Sequence, residues 1–242
     1  MTACADHYEH HLAPVYLWMA GGPQAALQAG RAEIEALALP LGPGSCVVDL
    51  GAGFGMHAIP MAQAGASVVA IDSSPLLLRT LDELRGAEPV RGVCDDLLAF
   101  PIHLTEAPDA ILCMGDTITH LPDAGAVASL VQSAAAMLRR GGSFVVSLRD
   151  YSEPLLGDQR FIPVRGDDMR LLTCFLEYEA TSVLVHDILH ERTADGWTTR
   201  VSHYRKLRLA TGELLALMES GGFEVRREAG VRGLVRLVAA RR

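Results

Sequence analysis

Apolar runs and amphipathic stretches alternate along the first two thirds of the chain. SCVVDL at 45–50, SVVAI at 67–71, PVRGV at 89–93, DAILCM at 109–114 and FVVSLRD at 144–150 are short, largely apolar runs with the length of buried strands. Helical patterns fall between them at 55–64, 75–85 and 123–139, the last stopped by Gly141-Gly142. An earlier helical stretch, QAALQAGRAEIEALAL at 24–39, ends at Pro40. Strands that alternate with helices predict parallel pairing through crossover helices, and so a doubly wound α/β sheet.

After residue 150 the pattern changes. LLTCFLEYE, SVLVHDILHER and WTTRVSHYRKLRL are strand-like with no helix between them, and ADGW supplies a hairpin turn. They predict an antiparallel three-strand meander, inserted after the fifth strand and occupying 155–209. A helix at 211–220 follows, stopped by Gly221-Gly222. FEVRREA and LVRLVAARR then close a mostly parallel seven-stranded sheet as an antiparallel pair. The expected organisation is an N-terminal helical cap over 1–44 and an α/β domain over 45–242.

Composition narrows the function classes. Half of the 242 residues are hydrophobic, which suffices for a sizeable core. A formal net charge of −8 argues against nucleic acid as a partner. No apolar run approaches the ~20 residues of a membrane span, and MTACADHYEHH has no basic-then-apolar leader. Cys4, Cys46, Cys94, Cys113 and Cys174 include no CxxC pair, which suits a reducing cytoplasm. His7, His10 and His11 lack the spacing and the companion ligands of a metal site, so none is expected. The oligomeric state is left open.

The chemistry concentrates in VVDLGAGFGMHAIPMAQAGASVVAID, residues 47–72. A strand enters Gly51, Gly53 and Gly55, then a helix, where backbone can approach a ligand closely. A dinucleotide fingerprint needs glycine at 56, which is Met56. Asp72, 21 residues past Gly51, ends the next strand and is placed to accept from ribose hydroxyls. A loop without GxxG suits a cofactor without pyrophosphate, and S-adenosylmethionine fits better than NAD. Asp116, Thr117, Thr119 and His120 form a polar cluster after the fourth strand, where such folds place their ligand crevice. Arg149, at the end of the fifth strand, could hold a carboxylate bidentately.

DLGAGFG with AID after it resembles the first motifs of class I S-adenosylmethionine-dependent methyltransferases. The resemblance implies that Gly51, Ala52 and Gly53 line the methionine part of S-adenosylmethionine, with Asp49 also at the cofactor. It places Asp72 at the ribose and Asp95 or Asp96 and Leu97 at the adenine, and Ser73, Met114 and Gly115 are counted with the cofactor site. MGDTITHLPD at 114–123 is similar to a stretch of the glycine and sarcosine N-methyltransferases, in which an asparagine contacts the substrate amine. Asp116 stands in that place here, so a different acceptor is implied. By the same resemblance SLRDYS at 147–152 brings Arg149 and Tyr151 to the acceptor.

These readings assign Asp116 and His120 to catalysis, with either one as the proton acceptor. Tyr16, Arg149, Tyr151 and Tyr204 are assigned to the acceptor, and Tyr16 and Trp18 are the candidates for an aromatic lid over the sulfonium. Arg31 offers a looser match for the carboxylate of S-adenosylmethionine. In the meander His203 and Arg205 share one face and Tyr204 the other. The expected function is methyl transfer to a small-molecule acceptor bearing a carboxylate or amine. Three rivals stand beside it: a lyase releasing methylthioadenosine, a nicotinamide-dependent oxidoreductase, and a non-catalytic binding module.

Overall fold

A computed structural model describes residues 6–242; Cys4 lies outside them. Its centre is a seven-stranded sheet in the order β10-β11-β5-β4-β1-β2-β3. The parallel strands are β1 (Cys46–Leu50), β2 (Ser67–Asp72), β3 (Val90–Cys94), β4 (Ala110–Cys113) and β5 (Ser143–Leu148). β10 (Phe223–Ala229) and β11 (Val235–Arg241) are joined by a short turn, and β11 runs antiparallel to both β10 and β5. Every residue of β1, β4 and β5 is buried, because helices cover both faces of the sheet.

The helices are α1 (Ala13–Met19), α2 (Pro23–Leu37), α3 (Ala58–Gln63), α4 (Pro75–Arg85), α5 (Ala124–Met137) and α6 (Thr211–Ser220). Local chemistry sets their starts. Ser74 caps α4 by accepting from the Leu77 N–H, and Pro75 takes the first helical position. Asp123 caps α5 by accepting from Ala126 at 2.8 Å. α5 then buries Val127, Leu130, Val131 and Ala134, a stripe at helical spacing. A π-helical turn, Tyr8–Leu12, precedes α1.

The second sheet has four antiparallel strands rather than the three expected: β6 (Phe161–Gly166), β7 (Arg170–Tyr178), β8 (Ser182–Thr193) and β9 (Gly196–Leu207). The extra strand, FIPVRG, sits at an edge, is largely exposed, and shifts register between Pro163 and Arg165. Proline cannot donate to a ladder and is tolerated at just such an edge. One face of this sheet packs Leu172, Leu176, Val183, Val185, Leu189 and Tyr204 toward the N-terminal helices and the crevice. Among the described residues no helix is long and apolar enough to cross a membrane.

Candidate active site

β1 pairs with β2 on one side and with β4 on the other, so the connections leave in opposite directions beyond Leu50. Crevices form at such a point. Here a cavity of about 870 Å³ opens above the ends of β1 to β4 and beneath the second sheet.

The glycine loop forms its floor. Gly51, Gly53 and Gly55 all have positive φ. At Gly51 a Cβ would come within 2.4 Å of the Thr117 methyl, so only glycine lets the loop pass under the turn that follows β4. The Gly53 N–H donates to Asp72 Oδ2 and the Ser74 N–H to Oδ1, each at 2.8 Å. Burial pushes the Asp72 carboxyl upward, and these backbone donors offset part of that shift. Ser73, Asp95, Asp96 and Leu97 line the same end. Asp95 accepts from His103 at 2.7 Å, and Asp96 caps the 3-10 turn Leu97–His103 by accepting from Leu98.

The opposite end is aromatic and basic. His120 stacks on Tyr204 with centroids 5.3 Å apart, and its Nε2 lies 3.2 Å from the Tyr8 hydroxyl oxygen. Tyr16 meets Phe54 edge-on at 5.9 Å. Burial, helped by the charge of Lys206, holds the His120 imidazole well below its usual range, so the ring is neutral at physiological pH. Lys206 Nζ, also in this wall, lies 2.6 Å from Asp116 Oδ2.

Several expected residues lie elsewhere. Asp116 is under the cavity wall: its carboxylate accepts from Lys206, from the Tyr151 hydroxyl at 3.0 Å and from the Arg149 N–H at 2.8 Å. Tyr151 thus supports Asp116 and is not part of the lining. The Arg149 guanidinium turns to the Arg232 carbonyl at 3.1 Å. The Trp18 indole donates to Asp167 at 2.5 Å and also lies outside the cavity wall. Asp49 is buried below the loop, where burial lifts its carboxyl to about 6. Arg31 bonds Gln63. His203 and Arg205 reach the cavity, as does Tyr204 from the other face of β9.

Residues 47–142 match the family model for a methyltransferase domain. That match places a methyltransferase domain in the part of the chain that carries the glycine loop. It is 35% identical over 136 residues to a ubiquinone biosynthesis O-methyltransferase of Xylella fastidiosa, a match covering 54% of this chain and 53% of that protein. A homologue of the same description from Xanthomonas campestris is 32% identical over 135 residues. The chain spans about half the length of the curated relatives it matches. The fold extends further. The CcbJ methyltransferase of Streptomyces caelestis superposes with a TM-score of 0.77 at 23% identity, covering 97% of this chain and 98% of that one. An amino pentose methyltransferase of Micromonospora echinaspora, solved with S-adenosylmethionine bound, gives 0.69 at 19% identity, with 89% and 90% covered.

The methyltransferase fold makes the cofactor fit testable on this chain's own atoms. Gly51 and Gly53 line the cavity with backbone, and Asp72 beside them is oriented by two backbone donors. Both features suit S-adenosylmethionine. Lys206, Tyr8, His57 and Arg232 also line the cavity, and sequence reasoning did not single them out. Lys206 had a usable signal, since it lies two residues from Tyr204 and therefore shares its face of β9.

Proposed function

We propose that this chain transfers a methyl group from S-adenosylmethionine to a small-molecule acceptor. The observation that carries the reading is one continuous cavity joining two unlike ends. The glycine loop and Asp72 stand at one end; His120, Tyr204 and Lys206 stand at the other, roofed by the second sheet. A cavity of about 870 Å³ has room for a cofactor and a small acceptor together. When bound, the cofactor supplies an activated methyl on a sulfonium leaving group.

The protein's tasks are then alignment and exclusion of water. Phe54, Tyr16 and Met114 supply apolar walls. His120 is neutral and can take a proton from an acceptor hydroxyl or amine. Lys206 cannot, because Asp116 and the Tyr151 phenol keep it protonated despite burial. Its role is to hold charge at the acceptor end, with Asp116 as the group that positions it. The relatives' descriptions name oxygen and amino-sugar acceptors, which supports a small molecule and leaves the attacking atom to experiment.

The test uses S-adenosylmethionine with a deuterated methyl group, incubated with and without a metabolite extract. Methyl transfer predicts adenosylhomocysteine and a labelled product only with extract. Methylthioadenosine from S-adenosylmethionine alone contradicts it.

A further inference from the structure

Charge is segregated around the cavity. Its acids, Asp72, Asp95 and Asp96, all line the half beside the glycine loop. Its cations, Lys206, Arg205 and Arg232, line the half expected to receive the acceptor. Two of the three are neutralised. Lys206 pairs with Asp116 at 2.6 Å and Arg205 with Glu179 at 3.0 Å. The Arg232 guanidinium has no acidic partner among the described residues.

The backbone at Arg232 is also held in a costly shape. Its φ is +53°, left-handed, which costs a residue with a Cβ about 1–2 kcal/mol. The turn lies between β10 and β11, flanked by Gly230 and Gly233. Arg149 braces it, donating through Nη2 to the Arg232 carbonyl at 3.1 Å. A Cβ at Gly233 would lie 3.6 Å from Arg149 Nη1, so the brace fits closely under the turn. Arg232 is exposed at the cavity rim and contributes to its lining. A strained, braced turn presenting an unneutralised cation to a cavity marks a ligand contact.

We infer that Arg232 binds an anionic oxygen group, a carboxylate or a phosphate ester, on the methyl acceptor, with Arg149 as its positioning residue. The inference rests on the methyltransferase reading and names the acceptor's class. The guanidinium offers two parallel donors to such a group. The acceptor end holds no acid in its lining to repel it.

The test separates a metabolite extract on an anion-exchange column at about pH 8, where carboxylates and phosphates are ionised. Retained and unretained fractions are each incubated with the protein and deuterated-methyl S-adenosylmethionine. The labelled product is expected from the retained fraction, and prior phosphatase treatment distinguishes a phosphate ester from a carboxylate. With that fraction's acceptor, Arg232→Gln should raise KM about 10–100-fold, the loss of a charged hydrogen bond, while adenosylhomocysteine affinity stays unchanged. Arg232→Lys should recover part of the loss. Arg149→Ala should raise KM less and leave kcat in place. A labelled product from the unretained fraction, or an unchanged KM in Arg232→Gln, would overturn the inference and leave methyl transfer standing. If no fraction gives adenosylhomocysteine, the methyltransferase reading fails and the inference with it.

Discussion

Lys206 Nζ lies 2.6 Å from Asp116 Oδ2, with the two side chains only 10% and 6% exposed. The pair joins the second sheet to the turn after β4, across 90 residues of sequence. It fixes one wall of the cavity, on β9, to the turn after β4. Asp116 itself has φ +73°, so the turn is shaped to aim its carboxylate at Lys206, Tyr151 and the Arg149 N–H.

Breaking this pair from one side leaves a buried charge without compensation, which costs about 3–5 kcal/mol. Asp116→Asn should therefore lower stability by that order in urea unfolding. The Asp116→Asn, Lys206→Met double variant should recover a large part of it. A double-variant loss equal to the sum of the Asp116→Asn and Lys206→Met losses would show that the pair is not coupled.

His120 gives a pH signature. Burial depresses its folded pKa below the ordinary value near 6.5. The unfolded chain then binds the proton more readily, so stability is full above about pH 6.5 and falls as pH drops below it. His120→Gln should flatten that fall in thermal unfolding followed from neutral to mildly acidic pH.

Asp49 has the opposite sign. Its folded carboxyl is raised to about 6 by burial, so the folded state holds the proton more tightly than the unfolded state. Its contribution falls as pH rises from about 4 to about 6. Asp49→Asn should remove that slope, and the variant should gain most relative to wild type above about pH 6, read from unfolding midpoints.

Gly51→Ala places a Cβ 2.4 Å from the Thr117 methyl at φ +71°. Strain of this kind costs about 1–3 kcal/mol. The variant should unfold at lower temperature and bind adenosylhomocysteine more weakly.

The parallel sheet was legible because strands buried on both faces read as unbroken apolar runs, as CVVDL and SFVVSL do. The glycine loop was legible because its backbone needs glycine at stated positions. β6 was not: an exposed edge strand with an internal proline lacks both apolar content and alternation. The partners of the charged residues were hidden as well, since nothing local tells Trp18 that Asp167 awaits it, or Arg149 that its guanidinium will brace Arg232. His7 pairs with Asp187 at 2.9 Å across 180 residues and ties the N-terminal segment to the second sheet, a contact set by tertiary packing alone. Asp116 matched its aligned place in the sequence, yet Lys206 claims its carboxylate.

Calorimetric titration with adenosylhomocysteine and, separately, NAD tests the central claim most directly. The account predicts one equivalent of adenosylhomocysteine bound, no heat from NAD, and binding weakened about 10–100-fold in Asp72→Asn through loss of a charged hydrogen bond. Saturable binding of NAD with no response to adenosylhomocysteine would contradict it.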